Sequence, residues 1–226
     1  MSFDTALRLT ECLMALAIIQ QSLEHRATER RGTWMFLLRI ALCLWLLMGL
    51  MPGAALACLF ATSLALLHRF QGPYNGGSDK MTLLILTCLT AARLAPERYA
   101  ELAFAYLGAQ LMLSYFVSGW IKVINPEWRS GRALADVFRF SAYPVSEGLR
   151  ALAHRPRMLW LGGWAVMLLE LAFPLALLHP LALMAALTLT AAFHFANACL
   201  FGLNRFFWIW LGAYPSILWL QSRLIG

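Results

Sequence analysis

Long apolar runs, broken by short polar or basic stretches, occupy nearly the whole chain. They fall at about residues 5–23, 34–51, 53–68, 81–95, 99–123, 158–178, 180–201 and 206–222. A helix crossing hydrocarbon needs roughly 17 to 25 mainly apolar residues. Lipid leaves no alternative partner for backbone amides, so such runs fold as helices. The pattern predicts an all-α, polytopic transmembrane helix bundle of about eight spans. The first and third runs are short, and tilted, re-entrant or half-inserted placements stay open for them. "MPG" (residues 51–53) and "HP" (His179, Pro180) are too brief for anything but tight helical hairpins. The N-terminal stretch "MSFDTALRLTECLMALAIIQQ" has no basic region before its apolar residues and no small-residue cleavage site. It reads as the first span rather than a removable signal. No internal repeat of the inverted-transporter kind is visible.

Two polar stretches interrupt this rhythm. "HRFQGPYNGGSDKM", residues 68–81, is rich in Gly, Pro and Asn and predicts a structured turn with positive φ angles rather than a helix. Residues 125–157 form the only long stretch between spans. Within it "GRALADVFRFSAYPVSEGLRALAHRPR" alternates apolar and basic residues at helical spacing, which predicts one or two short interfacial helices after the fifth span.

Composition turns the pattern into a class. With 61% hydrophobic residues, 13% charged residues and a mean hydropathy of +0.67, the chain reads as an integral membrane protein with residues 1–226 in a single membrane domain. A net charge of +7 would point to nucleic acid in a soluble protein. Here the basic residues lie between apolar runs, which excludes a nucleic-acid partner and makes membrane lipids, with their anionic headgroups, the expected one. In an eight-span arrangement one face collects twelve basic residues (Arg26, Arg30, Arg31, Arg69, Lys80, Arg129, Arg132, Arg139, Arg150, Arg155, Arg157, Arg205) and the other four (Arg8, Arg93, Arg98, Arg223). The richer face is expected in the cytoplasm and both termini outside, in a bacterial inner membrane. Cys12, Cys43, Cys58, Cys88 and Cys199 all sit in apolar runs without a CxxC pair. They read as small buried hydrophobes, which argues against a disulfide framework, a zinc site or thiol–disulfide chemistry.

Ionisable groups at membrane depth cost several kcal/mol unless paired or hydrated, so each is a candidate for function. Glu11, Arg39, Glu170 and His194 qualify. Glu170, in "VMLLELAFPLAL", precedes Pro174 by four residues, where a kinked helix exposes a carbonyl. It reads either as a proton acceptor or cation partner, or as half of a structural ion pair with Arg39. His194 and Asn197 are spaced i, i+3 and share a helix face, suited to positioning a proton donor or simply to joining helices. No second histidine or carboxylate stands at ligand spacing, so no metal site is expected. Lys122 closes the fifth span and is one of two lysines among 18 basic residues. It is either an interfacial anchor or a base held in a dry pocket, with Tyr115, Trp120 and Trp128 as walls.

The stretch "SYFVSGWIKVINPEWRSGRAL" resembles the motif of the HTTM (horizontally transferred transmembrane) family, which includes the vitamin K-dependent gamma-glutamyl carboxylase. The matching positions are Tyr115, Phe116, Ser118, Gly119, Lys122, Glu127, Trp128 and Gly131. "NGGSDKMTLL", with Asp79 and Lys80, is similar to the family's span-opening turn. "LLELAFPLALL" and "FHFANACLFGLNRFFWIWLGAYPSILW" resemble its closing acidic and His-containing spans. The likeness covers about residues 70–220. It implies that Lys122 is the base that deprotonates a quinone-derived hydroquinone, in carboxylase- or epoxidase-like chemistry. His194, Asn197 and Glu170 would orient substrate or relay protons, and Tyr115, Trp120, Trp128 and Asp79 would line the ligand. The sequence departs from the family in three places. The carboxylase's large non-membrane region has no counterpart here, "LLIL" (residues 83–86) replaces an Asn–His segment, and one extra residue separates Lys122 from Trp128. The carboxylase also holds its lysine on the luminal side, whereas the charge count puts the loop after Lys122 in the cytoplasm. The expectation is a carboxylase-like bundle working with a separate partner chain that supplies substrate binding. The alternative is a non-catalytic scaffold or accessory subunit of a peptide-maturation or larger membrane complex, with a transporter as the third reading.

Overall fold

The computed structural model describes residues 1–28, 33–69, 76–141 and 146–225, and among these it is helical throughout, without strands. The helices are α1 (Phe3–Thr28), α2 (Thr33–Met48), α3 (Pro52–Arg69), α4 (Gly76–Leu94), α5 (Glu97–Ile124), α6 (Pro126–Arg129), α7 (Arg132–Phe140), α8 (Pro156–Ala172), α9 (Pro180–Phe201) and α10 (Asn204–Ile225). Two 3-10 segments, Glu147–His154 and Phe173–Leu178, complete them. Each predicted apolar run coincides with one of the long elements, α8 together with the 3-10 turn after it.

Local chemistry sets the ends. The turn between α2 and α3 needs positive φ at Gly49 (75°) and Met51 (43°), and Pro52 then opens α3 with its ring already at helical φ. His179 caps α9, its Nδ1 accepting from the Leu181 amide at 3.2 Å, with Pro180 at the first helical position. Gly202 stops α9 in the left-handed region (φ 68°), its N–H returning to the Ala198 and Asn197 carbonyls. Two expectations need correcting. Pro174 was expected to kink a continuous helix. Instead α8 ends at Ala172, and the Phe173 amide donates to the Glu170 carbonyl as a 3-10 turn takes over, because proline cannot supply the next α-helical hydrogen bond. The stretch 68–81 was expected to be a turn, but His68 and Arg69 continue α3 and Gly76–Met81 already form the start of α4. Its centre lies outside the described residues.

The chain divides into two compact units. The first holds residues 1–109 and 208–224, the second residues 110–207. In the first, α1 packs against α2 and α3 against α4 around Met14, Leu46, Leu56, Leu59, Ile85 and Leu86, all fully buried. Arg8 donates to the Leu46 and Leu47 carbonyls at 2.8 and 2.6 Å, satisfying the open end of α2. In the second, Phe138 and Phe201 meet with ring centroids 4.9 Å apart, and Ala153 and Leu159 join them in a small core beneath the predicted interfacial segment.

Among the described residues three helical stretches, 98–124, 156–178 and 180–201, are long and apolar enough to cross a membrane. Only 33%, 28% and 33% of their most apolar windows are buried in protein. The remainder is an apolar surface that water would penalise and lipid would not. The shorter apolar helices α2 and α3 add to this character, and the chain is a membrane protein.

Candidate membrane-embedded acid–base site

The second unit holds every sequence-predicted site residue except Asp79. Tyr115, Gly119 and Lys122 are spaced i, i+4, i+7 along α5, so they project from one face. That face meets the end of α8. A Cβ on Gly119 would lie 2.8 Å from the Leu171 amide nitrogen and 2.9 Å from the Glu170 Cβ. Glycine is therefore what lets the two backbones approach, as small residues do between membrane helices. The approach brings Lys122 Nζ to both carboxylate oxygens of Glu170, at 2.7 and 2.5 Å. The Glu170 side chain is 4% accessible and that of Lys122 18%. Trp128 covers the ammonium from one side, its ring centroid 5.6 Å from Nζ, within range of a cation–π contact.

Two turns before Lys122 on α5, the buried Tyr115 hydroxyl lies 3.0 Å from His194 Nε2. Its ring packs on Phe173 at 4.4 Å between centroids. Phe173 follows Glu170 by three residues, so the end of α8 presents a carboxylate to Lys122 and a ring to Tyr115. A phenol paired with an imidazole and an ammonium paired with a carboxylate thus lie two turns apart along one face of α5.

The loop after Lys122 is fixed to the same wall. The Asn125 side chain caps α6 by accepting from the Glu127 amide at 2.9 Å. The Trp164 indole of α8 donates to the Arg129 carbonyl at 3.2 Å. Gly131, at φ 81°, runs against the Trp160 backbone, where a Cβ would come within 3.1 Å of its Cα.

Several expectations change. Glu170 pairs with Lys122 rather than Arg39. Trp120 was expected to wall the lysine but is 51% exposed: two residues before Lys122, it points about 200° around the helix from it. Asn197 is half-buried one turn beyond His194. Asp79 belongs to the first unit, where its Oδ1 accepts from Gln21 Nε2 at 2.7 Å. Phe173 and the spacing role of Gly119 were not anticipated. The signals were the i, i+3 step from Glu170 to Phe173 and the placement of Gly119 between Tyr115 and Lys122.

In the first unit, Arg39 is fully buried and donates to Ser63 Oγ at 2.8 Å, Thr62 Oγ1 at 3.0 Å and Gln21 Oε1 at 3.4 Å. Glu11, also fully buried, holds Arg8 at 3.1 Å and Arg93 at 2.6 Å. These groups link α1 to α4, with the Arg39 Nε left without a hydrogen-bond partner.

No curated protein and no solved structure matches the chain. The family model of the HTTM domain matches residues 88–221, which takes in the Lys122, Glu170 and His194 stretches and leaves out that of Asp79. With more than half of its 226 residues matched, the chain belongs to the HTTM family.

Proposed function

We propose that this HTTM protein binds a quinol or similarly hydroxylated lipid-like ligand beside Lys122 and Glu170, which handle its acidic proton, and that a separate partner chain supplies substrate binding for carboxylase- or epoxidase-like chemistry. The observation that carries this reading is the Lys122–Glu170 pair. Two opposite charges are held together within a largely enclosed region of a membrane helix bundle, next to a tyrosine–histidine pair. Keeping ionisable groups there costs free energy that a purely apolar contact avoids, and a ligand with an ionisable hydroxyl gives the cost a purpose. Tyr115, His194 and Asn197 orient the ligand, and Trp128 closes the ammonium side. The wider arrangement is one membrane domain over residues 1–226 with eight spans, the basic-rich face in the cytoplasm and both termini outside, in a bacterial inner membrane.

The test is direct binding. The purified protein in detergent micelles is titrated with reduced 2-methyl-1,4-naphthoquinone and followed by tryptophan fluorescence. Saturable binding is expected. Lys122→Met should weaken it by about tenfold or more, since a hydrogen bond to a charged group contributes about 1.5–3 kcal/mol. Absence of saturable binding refutes the reading.

A second reading has its own support: each oxygen of Glu170 already meets Lys122, as a finished structural staple requires. On that reading the bundle is a scaffold or accessory subunit, and the double change Lys122→Met, Glu170→Leu leaves cellular function and a co-purifying partner unaltered.

A further inference from the structure

Away from the Lys122–Glu170 pair, we infer that the first unit holds one buried water as a fixed part of its charged core, bound between Arg39 and Asp79. The site is a cavity of about 10 Å³, to which α1 contributes Gln21, α2 Arg39, α3 Ser63, and α4 Asp79 and Thr82. Leu66 and Leu67 complete its wall. All of these residues precede residue 88, where the HTTM match begins. An arginine carries five N–H donors. Those at the tip of Arg39 reach Ser63 Oγ at 2.8 Å, Thr62 Oγ1 at 3.0 Å and Gln21 Oε1 at 3.4 Å. Its Nε–H has no partner, although the residue is only 1% exposed. A buried donor on a charged group is costly in that state, and the cavity that Arg39 lines is where an acceptor can stand.

Size, charge and hydrogen bonding together select water. A single water needs roughly 10–15 Å³ and two to four polar partners, which matches the room and the lining found here. An aromatic ring or a phosphate is too large for it. An anion would face the Asp79 carboxylate and a cation the Arg39 guanidinium, so either would meet a like charge where screening is poor. A hydrocarbon chain would leave the Nε–H unpaired. Water is neutral and has both functions: it accepts from the Arg39 Nε–H and donates to the Asp79 carboxylate. Gln21 already links the two charges, its Nε2 donating to Asp79 Oδ1 at 2.7 Å and its Oε1 accepting from Arg39. The water is a second link, and it completes the hydrogen bonding of the side chain that ties α2 to α1 and α3. Asp79, expected from the family resemblance to line a quinone-type ligand, is thereby a water-binding residue of the first unit.

The experiment uses the full chain in detergent micelles with 15N-labelled arginine. The Arg39 Nε–H resonance, assigned by its loss in Arg39→Lys, is expected to show a nuclear Overhauser effect at the water frequency, with the sign of a long-lived bound molecule rather than of proton exchange. Asp79→Asn keeps an acceptor oxygen and should retain that signal. Asp79→Leu removes the acceptor and should lose it while the Nε–H resonance remains. An Nε–H that shows no water contact, or contacts detergent acyl protons instead, overturns the inference. A water signal that survives Asp79→Leu overturns the assignment of Asp79. A measurement on wild type needs no folded variant: a map that resolves solvent should show one isolated peak about 2.7–3.2 Å from Arg39 Nε. Crystals grown in bromide should give no anomalous peak there. A dry cavity, a bromide peak or density larger than one water each refutes the site.

Discussion

At the scale of single residues, the candidate site depends on an atom that is missing. Gly119 has no Cβ, and the space a Cβ would take belongs to Leu171 and Glu170. Gly119→Ala should therefore push α5 from α8, destabilise the protein by about 1–3 kcal/mol and loosen the Lys122–Glu170 pair. Gly162 provides the control. A Cβ there meets nothing within 4 Å, so Gly162→Ala gains helix propensity without a clash and should stabilise by up to about 1 kcal/mol. Denaturation of both variants in the same micelles checks the contrast, and equal effects would remove the packing argument. The sequence made Lys122, Glu170 and His194 visible as polar residues in apolar runs, because such residues are costly in lipid whatever surrounds them. It could not pair them. Arg39 was the ion-pair partner expected for Glu170, and the choice of Lys122 instead depends on helix approach, which a one-dimensional pattern does not encode.

At the scale of elements, hydrophobic period and length located the long helices, while backbone chemistry set their ends. Pro174 stopped α8 where a kink was expected, since the chain met the lost hydrogen bond by tightening into a 3-10 turn. Gly76 and Gly77 started α4 where a turn was expected, because glycine is permissive and its neighbours decide. The amphipathic stretch after α5 was legible and forms α7 and the 3-10 segment Glu147–His154. Arg150 ties the two together, donating to the Arg139 carbonyl at 2.5 Å and the Ser141 carbonyl at 3.2 Å while its Nε holds Glu147 at 2.6 Å. That arginine holds the Glu147 carboxyl below its ordinary value of 4.5. A depressed carboxyl contributes stability above its unfolded value and loses it as pH falls through the folded one. Hydrogen exchange over residues 147–154 should therefore quicken as pH drops below about 4.5, after correction for the intrinsic exchange rate. Glu147→Gln should abolish this added pH dependence, and an unchanged profile in that variant would show that the pair does not hold the segment. Glu147 is exposed and Arg150 half-buried, so raising the salt concentration should weaken the effect.

At the scale of the whole molecule, apolar surface and charge placement determine how the chain meets the membrane. The exposed faces of α5, α8 and α9 are apolar, which calls for lipid. On the proposed eight-span arrangement the basic residues fall twelve to one face and four to the other, which predicts a cytoplasmic position for the richer set. That count conflicts with a Lys122 site opening on the outer side, as the family resemblance implies, because Lys122 sits at the end of α5 that leads into the basic segment 125–157. Single-cysteine labelling decides between them. With the five native cysteines replaced, Ser146→Cys should react with a membrane-impermeant maleimide only after the cells are opened, while Leu50→Cys and Ala95→Cys should react in intact cells. The reverse pattern would place the loop after Lys122 outside and make the arginines of 129–157 surface-bound residues that override the charge rule, with the ligand site facing the exterior. A mixed pattern, with Leu50 and Ala95 on opposite sides, would mean that α3 or α4 fails to cross. That outcome would remove the eight-span arrangement while leaving the α5–α8–α9 site intact, since all of its polar contacts lie within the second unit.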